Sequence, residues 1–422
     1  MCVIIRVDER RVISRNICFA PYSSCLEITV NKQEYMKIIA FYLPQFHAIP
    51  ENDAWWGAGF TEWTNTKKAV PLFKGHYQPK TPLNENYYNL LDTKTIQWQC
   101  ELARKYGVWG FCFYHYWFKD GKKLLEKPVE LFLASKECNQ NFCLCWANEN
   151  WTRCWDGKDK EVLMEQDYGN EKDWKAHFDY LLPFFLDSRY IFNDGKPVFV
   201  IYKPEYIPML QEMVTFWNQQ AKMNGLEGIS IVSQFPSPKE ELAKIDSVID
   251  YQIQFEPMYT LAYEYIKKSN YASMFTKKPV AVALYLFKRV IRIIHKRMLK
   301  MPLLKVTKRP FPLSYDSVWE LIVSRERLNQ KFIPGAFTDW DNSARRGVEG
   351  RMFKGSTPDK YKKYLSKLIR QCTGNAPTDL LFITAWNEWA EGSYLEPDEK
   401  NKYGYLQATL DALCENGDFS AN

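Results

Sequence analysis

Eight short apolar runs, most of them separated by segments with helical periodicity, constrain the fold of this chain more than any other feature. Runs of this length that are rich in β-branched and aromatic residues predict buried strands. Strands that alternate with helices predict an α/β fold, and eight such units predict a (β/α)8 TIM-type barrel, with a doubly wound open sheet as the alternative. The predicted strands are 37–43, 108–114, 142–147, 197–202, 229–234, 247–252, 332–337 and 380–385, and the predicted helices are 93–106, 128–136, 172–186, 204–223, 238–245, 358–371 and 405–415.

The chain has room for one large domain of this kind. It has 422 residues, of which 46% are hydrophobic, and a barrel of about 250 residues with insertions fits that length. We expect a leader over 1–35, a barrel over 36–416 with a basic helical insertion at 262–315, and a tail over 417–422. Met36 is then either the biological start or the point where a poorly ordered, extended leader ends.

Targeting features are few. The N-terminus lacks the charged start, continuous apolar core and small-residue cleavage site of a secretory signal. No apolar run approaches the ~18 residues of a membrane span. The 11 Cys residues form an odd number without CxxC pairs, which favours reduced thiols. We therefore expect a cytoplasmic protein, with peripheral contact at the inner face of the cell membrane.

The insertion is strongly basic. Residues 266–315 contain 13 Lys or Arg and no acidic residue, whereas the net charge of the whole chain is only +6. Within it, residues 280–304 mix apolar and basic residues in a pattern that predicts an amphipathic helix, able to lie on an anionic membrane or to bind an anionic glycan carrier. The alternative is a helix that packs on the barrel with its charges in solvent. We expect no nucleic-acid partner, because no recognised binding fold is indicated.

The eighth predicted strand is followed by two acids. Glu388 and Glu391 lie three positions apart among aromatic residues, a spacing that can bring Cβ atoms within about 5–6 Å on a turn. Glycosidic chemistry commonly uses one carboxyl group to protonate the leaving oxygen and a second to assist attack. The pair therefore indicates an enzyme that acts on glycosidic bonds. The alternative is a structural pair that caps a helix or forms an ion pair.

Polar and aromatic residues also follow the other predicted strands. The carboxyl ends of barrel strands share one rim, where catalytic and binding groups lie. Aromatic side chains there can hold a sugar ring, although loop packing is the alternative for each of them. The candidate substrate-binding residues are Gln45, His47, Trp56, Glu62, Trp63, His115, Tyr116, Trp117, Asn148, Glu149, Trp151, Asp339, Trp340, Asp341, Asn387 and Tyr394.

Five segments of the chain, taken together, resemble the WbsX family, a glycoside hydrolase family 99-like group found among surface-polysaccharide biosynthesis proteins. The similarity extends from about Met36 to the C-terminal helix. It implies a carbohydrate-active barrel enzyme of O-antigen, capsule or other surface-polysaccharide biosynthesis, acting on an oligosaccharide or lipid-linked glycan. The matching segments are 41–47 (FYLPQFH), 56–63 (WGAGFTEW), 145–151 (CWANENW), 337–342 (FTDWDN) and 386–392 (WNEWAEG).

The resemblance to family 99 also implies roles for the two acids. Glu388 would act as a base on the sugar 2-hydroxyl, giving an anhydrosugar intermediate, and Glu391 as the general acid/base. Members of the WbsX family are often named glycosyltransferases, so hydrolysis, transglycosylation and transfer from a nucleotide sugar or lipid-linked sugar stay open. A non-catalytic glycan-binding protein is the alternative from another functional class.

Two other carboxylate arrangements are alternatives. Glu149 could pair with Glu388 as in retaining glycosidases, about 5–5.5 Å apart, or could form a rim ion pair with Arg153. Asp339 and Asp341 match the Asp-x-Asp that holds a divalent ion against a diphosphate in nucleotide-sugar transferases. No phosphate-cradling glycine-rich loop accompanies this match. We therefore expect neither a metal nor a cofactor.

Overall fold

The computed structural model describes residues 35–153, 158–236, 239–265, 312–326 and 331–417. Residues 1–34 of the predicted leader, the greater part of the basic insertion, including 280–304, and residues 418–422 of the tail lie outside the described residues. Within the part that is described, no helix is both long and apolar enough to cross a membrane.

Eight parallel strands form a nearly closed barrel, as predicted. Each strand pairs with its neighbours in sequence, and the eighth strand pairs with both the first and the seventh. This arrangement confirms the TIM-type barrel and excludes the open sheet. The strands are Lys37–Tyr42, Val108–Trp117, Asn141–Trp146, Lys196–Ile201, Ser230–Ser233, Tyr251–Ile253, Phe332–Ile333 with Gly335–Phe337, and Leu380–Thr384.

The seventh strand is two short strands instead of the single predicted run. Ile333 accepts a hydrogen bond from the Gln254 N–H (2.9 Å), and Pro334 accepts one from the Phe382 N–H (3.0 Å). Because Pro334 has no N–H of its own, it cannot continue the ladder. The chain changes its pairing partner there, from the sixth strand to the eighth.

Large aromatic side chains fill the barrel. Phe41 lies at the centre of one group, with ring centroids 5.4 Å from Phe255, 5.4 Å from Phe382 and 5.7 Å from Tyr114. Offset and edge-to-face contacts of this kind stabilise a core beyond the area that they bury. Since the strands are buried on both faces, they appear in the sequence as continuous apolar runs without strict alternation.

Helices surround the barrel and follow most of its strands. The predicted helix 204–223 is a 3-10 turn, Pro204–Tyr206, followed by a helix that begins at Leu210. The helices are Pro50–Trp56, Glu62–Lys68, Thr93–Lys105, Lys127–Ala134, Glu171–Phe185, Leu210–Met223, Lys239–Ile245, Met258–Thr260 with the π-turn Leu261–Tyr265, Tyr315–Ser324, Ser343–Arg346, Pro358–Cys372 and Gly404–Glu415.

Candidate active site

Three carboxyl groups meet one guanidinium group at the carboxyl end of the barrel. Arg345 donates from Nη1 to Glu391 Oε1 (2.5 Å) and from Nη2 to Glu62 Oε1 (2.5 Å). Its Nη2 also lies 3.4 Å from Glu388 Oε2. We call these four residues the Arg345 cluster. Both acids of the terminal motif therefore belong to one charged group, together with the acid Glu62 and the cation Arg345 from other loops.

Local structure fixes the loop residues of the Arg345 cluster. Glu62 is the first residue of the helix Glu62–Lys68, and its N–H donates to the Gln45 carbonyl (2.9 Å) in the loop after the first strand. The Thr61 N–H donates to Thr64 Oγ1 (3.2 Å), which is a capping interaction at the start of this helix. Arg345 comes from the short helix after the seventh strand.

The two motif acids are held by a tight turn. A hairpin of Asn387–Glu388 with Ser393–Tyr394 encloses the 3-10 turn Trp389–Glu391. This turn ends at Gly392, where φ is +63° and a Cβ atom would lie 3.0 Å from the backbone of Asp341. The Asp341 N–H donates to the Glu391 carbonyl (2.7 Å). A side chain at position 392 would strain this approach, which joins the loops after the seventh and eighth strands.

The Arg345 cluster is largely buried. The exposed fractions of the side chains are 0% for Glu62, 12% for Arg345, 13% for Glu388 and 20% for Glu391. Burial raises the pKa of Glu388 to about 8, against the opposing charge of Arg345 and with a contribution from the Glu391 and Glu62 charges. Burial also raises the pKa of Glu62. Near neutral pH the cluster therefore holds at least one proton.

Three tyrosines interact electrostatically with Glu388. Burial raises the pKa values of Tyr114, Tyr116 and Tyr202, and the Glu388 carboxylate adds to each shift. Their phenol groups therefore stay neutral and can donate hydrogen bonds. Of the three, only Tyr116 was predicted; the other two lie in runs that the sequence identified solely as strands.

Asp339 and Asp341 are bound by the loop at 76–80. Asp341 Oδ2 lies 2.8 Å from both His76 Nε2 and Gln78 Nε2, and Lys80 Nζ donates to Asp339 Oδ2 (3.0 Å). Against the effect of burial, the His76 hydrogen bond and the Lys80 charge lower the pKa of Asp341 to about 2. Through these contacts, Asp339 and Asp341 link the loop after the seventh strand to the loop at 76–80. No group of three or more potential metal ligands was found among the residues that the structure describes.

A buried polar layer lies beneath the acid turn. Asn387 accepts from the Leu43 N–H (2.7 Å) and donates to the Leu43 carbonyl (3.0 Å). Tyr394 stacks on Trp389 with ring centroids 3.9 Å apart, and Trp63 packs on the same ring at 5.4 Å. Asn387, Tyr394 and Trp63, all predicted to bind substrate, are therefore buried supports of the turn that carries Glu388 and Glu391.

An aromatic group and an ion pair follow the second, third and fourth strands. Trp151 lies 5.2 Å from Tyr116 and 5.9 Å from Trp55 between ring centroids. Glu149 pairs with Lys203, with 2.5 Å between Oε1 and Nζ. Asn148 is fully buried and bonds to both the N–H and the carbonyl of Lys203. The partner of Glu149 is thus a residue that the sequence reading did not consider.

The remaining predicted residues lie outside the Arg345 cluster. His115 Nε2 is 2.9 Å from His177 Nε2 on the helix Glu171–Phe185. Trp117 stacks on the His177 imidazole, with ring centroids 4.5 Å apart. Burial lowers the pKa of His47 to about 4. Gln45 and Trp340 are also buried, while Trp56 is half-buried and packs near Phe60.

Comparison with known proteins finds one family over most of the chain. The family model described as "Glycosyltransferase WbsX" matches residues 38–409. Proteins named "Uncharacterized protein WxcX" from two strains of Xanthomonas campestris pv. campestris are 33% identical over 387 and 385 residues, covering 90% of this chain and 50% of each relative. The chain spans about half the length of these curated relatives.

Two solved structures align with most of the chain at low sequence identity. One described as "Glycoside hydrolase-like protein" aligns with a TM-score of 0.53 at 13% identity, covering 90% of this chain and 94% of that one. The GH99 endo-alpha-mannosidase from Bacteroides thetaiotaomicron aligns with a TM-score of 0.48 at 13% identity, covering 90% and 96%. The first of these supports the barrel fold.

Proposed function

The chain belongs to the WbsX glycosyltransferase family, and we propose that it makes or breaks glycosidic bonds during surface-polysaccharide assembly, with Glu388 and Glu391 as the reacting acids. The observation that carries the proposal is the unequal contact of these two carboxyl groups with one buried guanidinium, 2.5 Å for Glu391 and 3.4 Å for Glu388. Two carboxyl groups in different protonation states are what acid–base cleavage of a glycoside requires.

The reaction needs one proton donor and one proton acceptor. The protonated acid gives its proton to the glycosidic oxygen as the bond from that oxygen to the anomeric carbon breaks. The ionised acid accepts a proton from the group that attacks, either directly or through the sugar 2-hydroxyl, as the family 99 resemblance implies. Attack by water gives hydrolysis, and attack by a sugar hydroxyl gives transglycosylation. The half-buried rings of Tyr116 and Trp151 support a sugar-binding surface beside the acids.

Transfer from a nucleotide sugar is the second candidate, because the matching family model is described as a glycosyltransferase. A diphosphate would need a cation or a set of N–H donors to bind it. The Asp339 and Asp341 carboxylates already contact Lys80, His76 and Gln78. We therefore place this candidate after hydrolysis and transglycosylation.

Product analysis tests the proposal. The protein is incubated with an array of bacterial surface glycans, with lipid-linked oligosaccharides and with a panel of nucleotide sugars. Shortened chains indicate hydrolysis, lengthened chains without nucleotide indicate transglycosylation, and free nucleotide indicates the second candidate. Binding without any product would contradict the enzymatic proposal and favour a glycan-binding protein.

We also propose that the basic insertion brings the catalytic end of the barrel to an anionic membrane on the cytoplasmic side, where lipid-linked glycans are presented. Residues 280–304 lie outside the described residues, so the sequence alone supports their amphipathic character. The insertion follows the sixth strand at its carboxyl end, which is the end that carries the Arg345 cluster. Arg325, which follows the insertion, donates to Glu264 Oε1 (2.7 Å) within the first residues of the insertion and to Glu256 Oε1 (3.0 Å) before it.

We predict that the protein sediments with anionic vesicles and that salt weakens this binding. Each basic residue near such a surface contributes about 1 kcal/mol. A variant with five basic residues changed to Gln should therefore no longer sediment with anionic vesicles, while its sedimentation with neutral vesicles should equal that of the native protein. The five residues are Lys288, Arg289, Arg292, Lys296 and Arg297. The matched control removes five exposed charges from the outer helices: Lys94, Lys172, Lys222, Lys363 and Lys367 are changed to Gln. Equal binding of both variants would contradict the role of the insertion.

A further inference from the structure

Besides the reacting pair Glu388 and Glu391, the Arg345 cluster contains the acid Glu62 and the cation Arg345. The contacts of these two residues indicate a separate role for them. Resting on the proposed function, we propose that Arg345, anchored by Glu62, decides which reacting acid carries the proton: it keeps Glu391 ionised and leaves the proton on Glu388. Glu62 and Arg345 are then positioning residues, because they act through the two reacting carboxyl groups.

The distances carry this inference. One guanidinium faces three carboxyl groups in a place that water scarcely reaches, with Glu62 fully buried. Even with the exposed Lys68, which interacts electrostatically with Glu62, counted as a second cation, three ionised carboxylates would leave one buried charge uncompensated, which is costly. At least one proton must therefore be retained. Arg345 makes 2.5 Å contacts to Glu391 and Glu62 and a 3.4 Å contact to Glu388. The acid farthest from the cation gains least from ionisation, and that acid is Glu388.

The other groups around Glu388 do not change this order. The titratable groups facing Glu388 are Arg345 after the seventh strand, Glu391 on the same turn, Glu62 after the first strand, and Tyr114, Tyr116 and Tyr202 on or just after the second and fourth strands. The tyrosines stay neutral because burial raises their pKa values. Arg345 is thus the cation of this set, and the raised pKa of Glu388 agrees with its longer contact.

The inference reverses the roles that the family 99 resemblance implies. Glu388 would donate its proton to the leaving glycosidic oxygen as the bond to the anomeric carbon breaks. Glu391, ionised against Arg345, would take a proton from the attacking water, acceptor hydroxyl or substrate 2-hydroxyl. When water or an acceptor hydroxyl attacks directly, one turnover leaves Glu388 ionised and Glu391 protonated, and exchange with solvent restores the resting state. When the 2-hydroxyl attacks, this is the state after the first step; opening of the anhydrosugar then returns the proton of Glu391 to the sugar O2 and gives Glu388 a proton from the incoming water or hydroxyl. Glu62 has no exposed surface through which to touch a sugar.

A first experiment locates the proton without any substrate. The full chain is labelled with 13C at its Glu carboxyl carbons and titrated by NMR from pH 4 to 10. We expect a carboxyl resonance that titrates above pH 7 and that is lost in Glu388→Gln but retained in Glu391→Gln. Its loss in Glu391→Gln with retention in Glu388→Gln would overturn the inference. Absence of any resonance titrating above pH 7 in the native protein would also overturn it.

A second experiment uses the pH dependence of turnover on the substrate found by product analysis. Glu62→Gln removes a negative charge and frees Nη2 of Arg345, so the alkaline limb should move to lower pH by about one unit, a tenfold loss near that limb. Arg345→Gln removes the charge that lowers the pKa of Glu388, so the alkaline limb should move to higher pH, opposite to its movement in Glu62→Gln. Arg345→Lys keeps the charge and should restore that limb in part.

The controls separate this inference from the proposed function. Glu212→Gln changes an exposed acid on the outer helix Leu210–Met223 and should move neither limb. Thermal melting identifies any variant that fails to fold, and the NMR titration of the native protein stands without variants of Arg345. Rate losses with both limbs fixed would overturn the inference and leave a purely structural role. A proton found on Glu388 in a protein that processes no glycan would contradict the function and uphold the inference.

Discussion

Glu388→Gln and Glu391→Gln should each lower turnover by at least about 100-fold, the usual order for the loss of a catalytic acid or base. Gln has nearly the shape of Glu but can neither give nor take the proton. Each variant should keep the fold, because the hairpin and the Gly392 turn that hold position 388 do not depend on these carboxyl groups. The measurement is turnover under saturating substrate, with thermal melting to verify folding.

Glu149→Gln is the matched control for this prediction. Glu149 is a rim acid that pairs with Lys203 at 2.5 Å, and it was the rival partner of Glu388 in the retaining arrangement. We expect its loss to affect substrate affinity more than turnover. Full activity of Glu388→Gln or Glu391→Gln would remove that residue from the mechanism. A loss of turnover in Glu149→Gln as large as in Glu388→Gln would favour the rival arrangement.

The barrel could be predicted because its signal is local. Each buried strand is a short apolar run, so element order follows from the sequence directly. The terminal motif was equally accessible, since Glu388 and Glu391 are neighbours on one turn. Within the seventh strand, Pro334 marked the change of pairing partner, but the apolar run around it hid the break.

The contacts between loops could not be predicted in the same way. Arg345 is 283 positions from Glu62, and Lys80 is 259 positions from Asp339. The local sequence pattern does not indicate that such residues are in contact, because their loops come together only when the barrel closes. Side-chain direction was equally hidden: His115 follows the predicted second strand as a rim residue would, yet its ring contacts His177 on the surrounding helix. A rim position in sequence therefore does not establish which face a side chain occupies.

Replacing Gly335 by Ala should destabilise the barrel strongly. A Cβ atom at this position would lie 1.9 Å from the Gln254 carbonyl oxygen and 2.9 Å from its carbon, which are backbone atoms of the chain that leaves the sixth strand. The contact is between the backbone at position 335 and the backbone of Gln254, and neither can move away as a flexible side chain can. The two strands must therefore separate at the point where the seventh strand changes its pairing partner.

We expect the free energy of unfolding of Gly335→Ala to fall by about 3 kcal/mol, at the upper end of what overpacking usually costs. The measurement is urea unfolding, in which the midpoint should fall while the slope stays that of the native protein. Ile333→Val, on the other side of Pro334, is the control: it removes one buried methyl group and should cost about 1 kcal/mol. Since Gly335 begins the strand that leads to Asp339 and Arg345, the folded fraction of Gly335→Ala should also lose turnover. A midpoint equal to that of the native protein would show that the backbone of Gln254 can yield, and that closure of the barrel does not depend on glycine at 335.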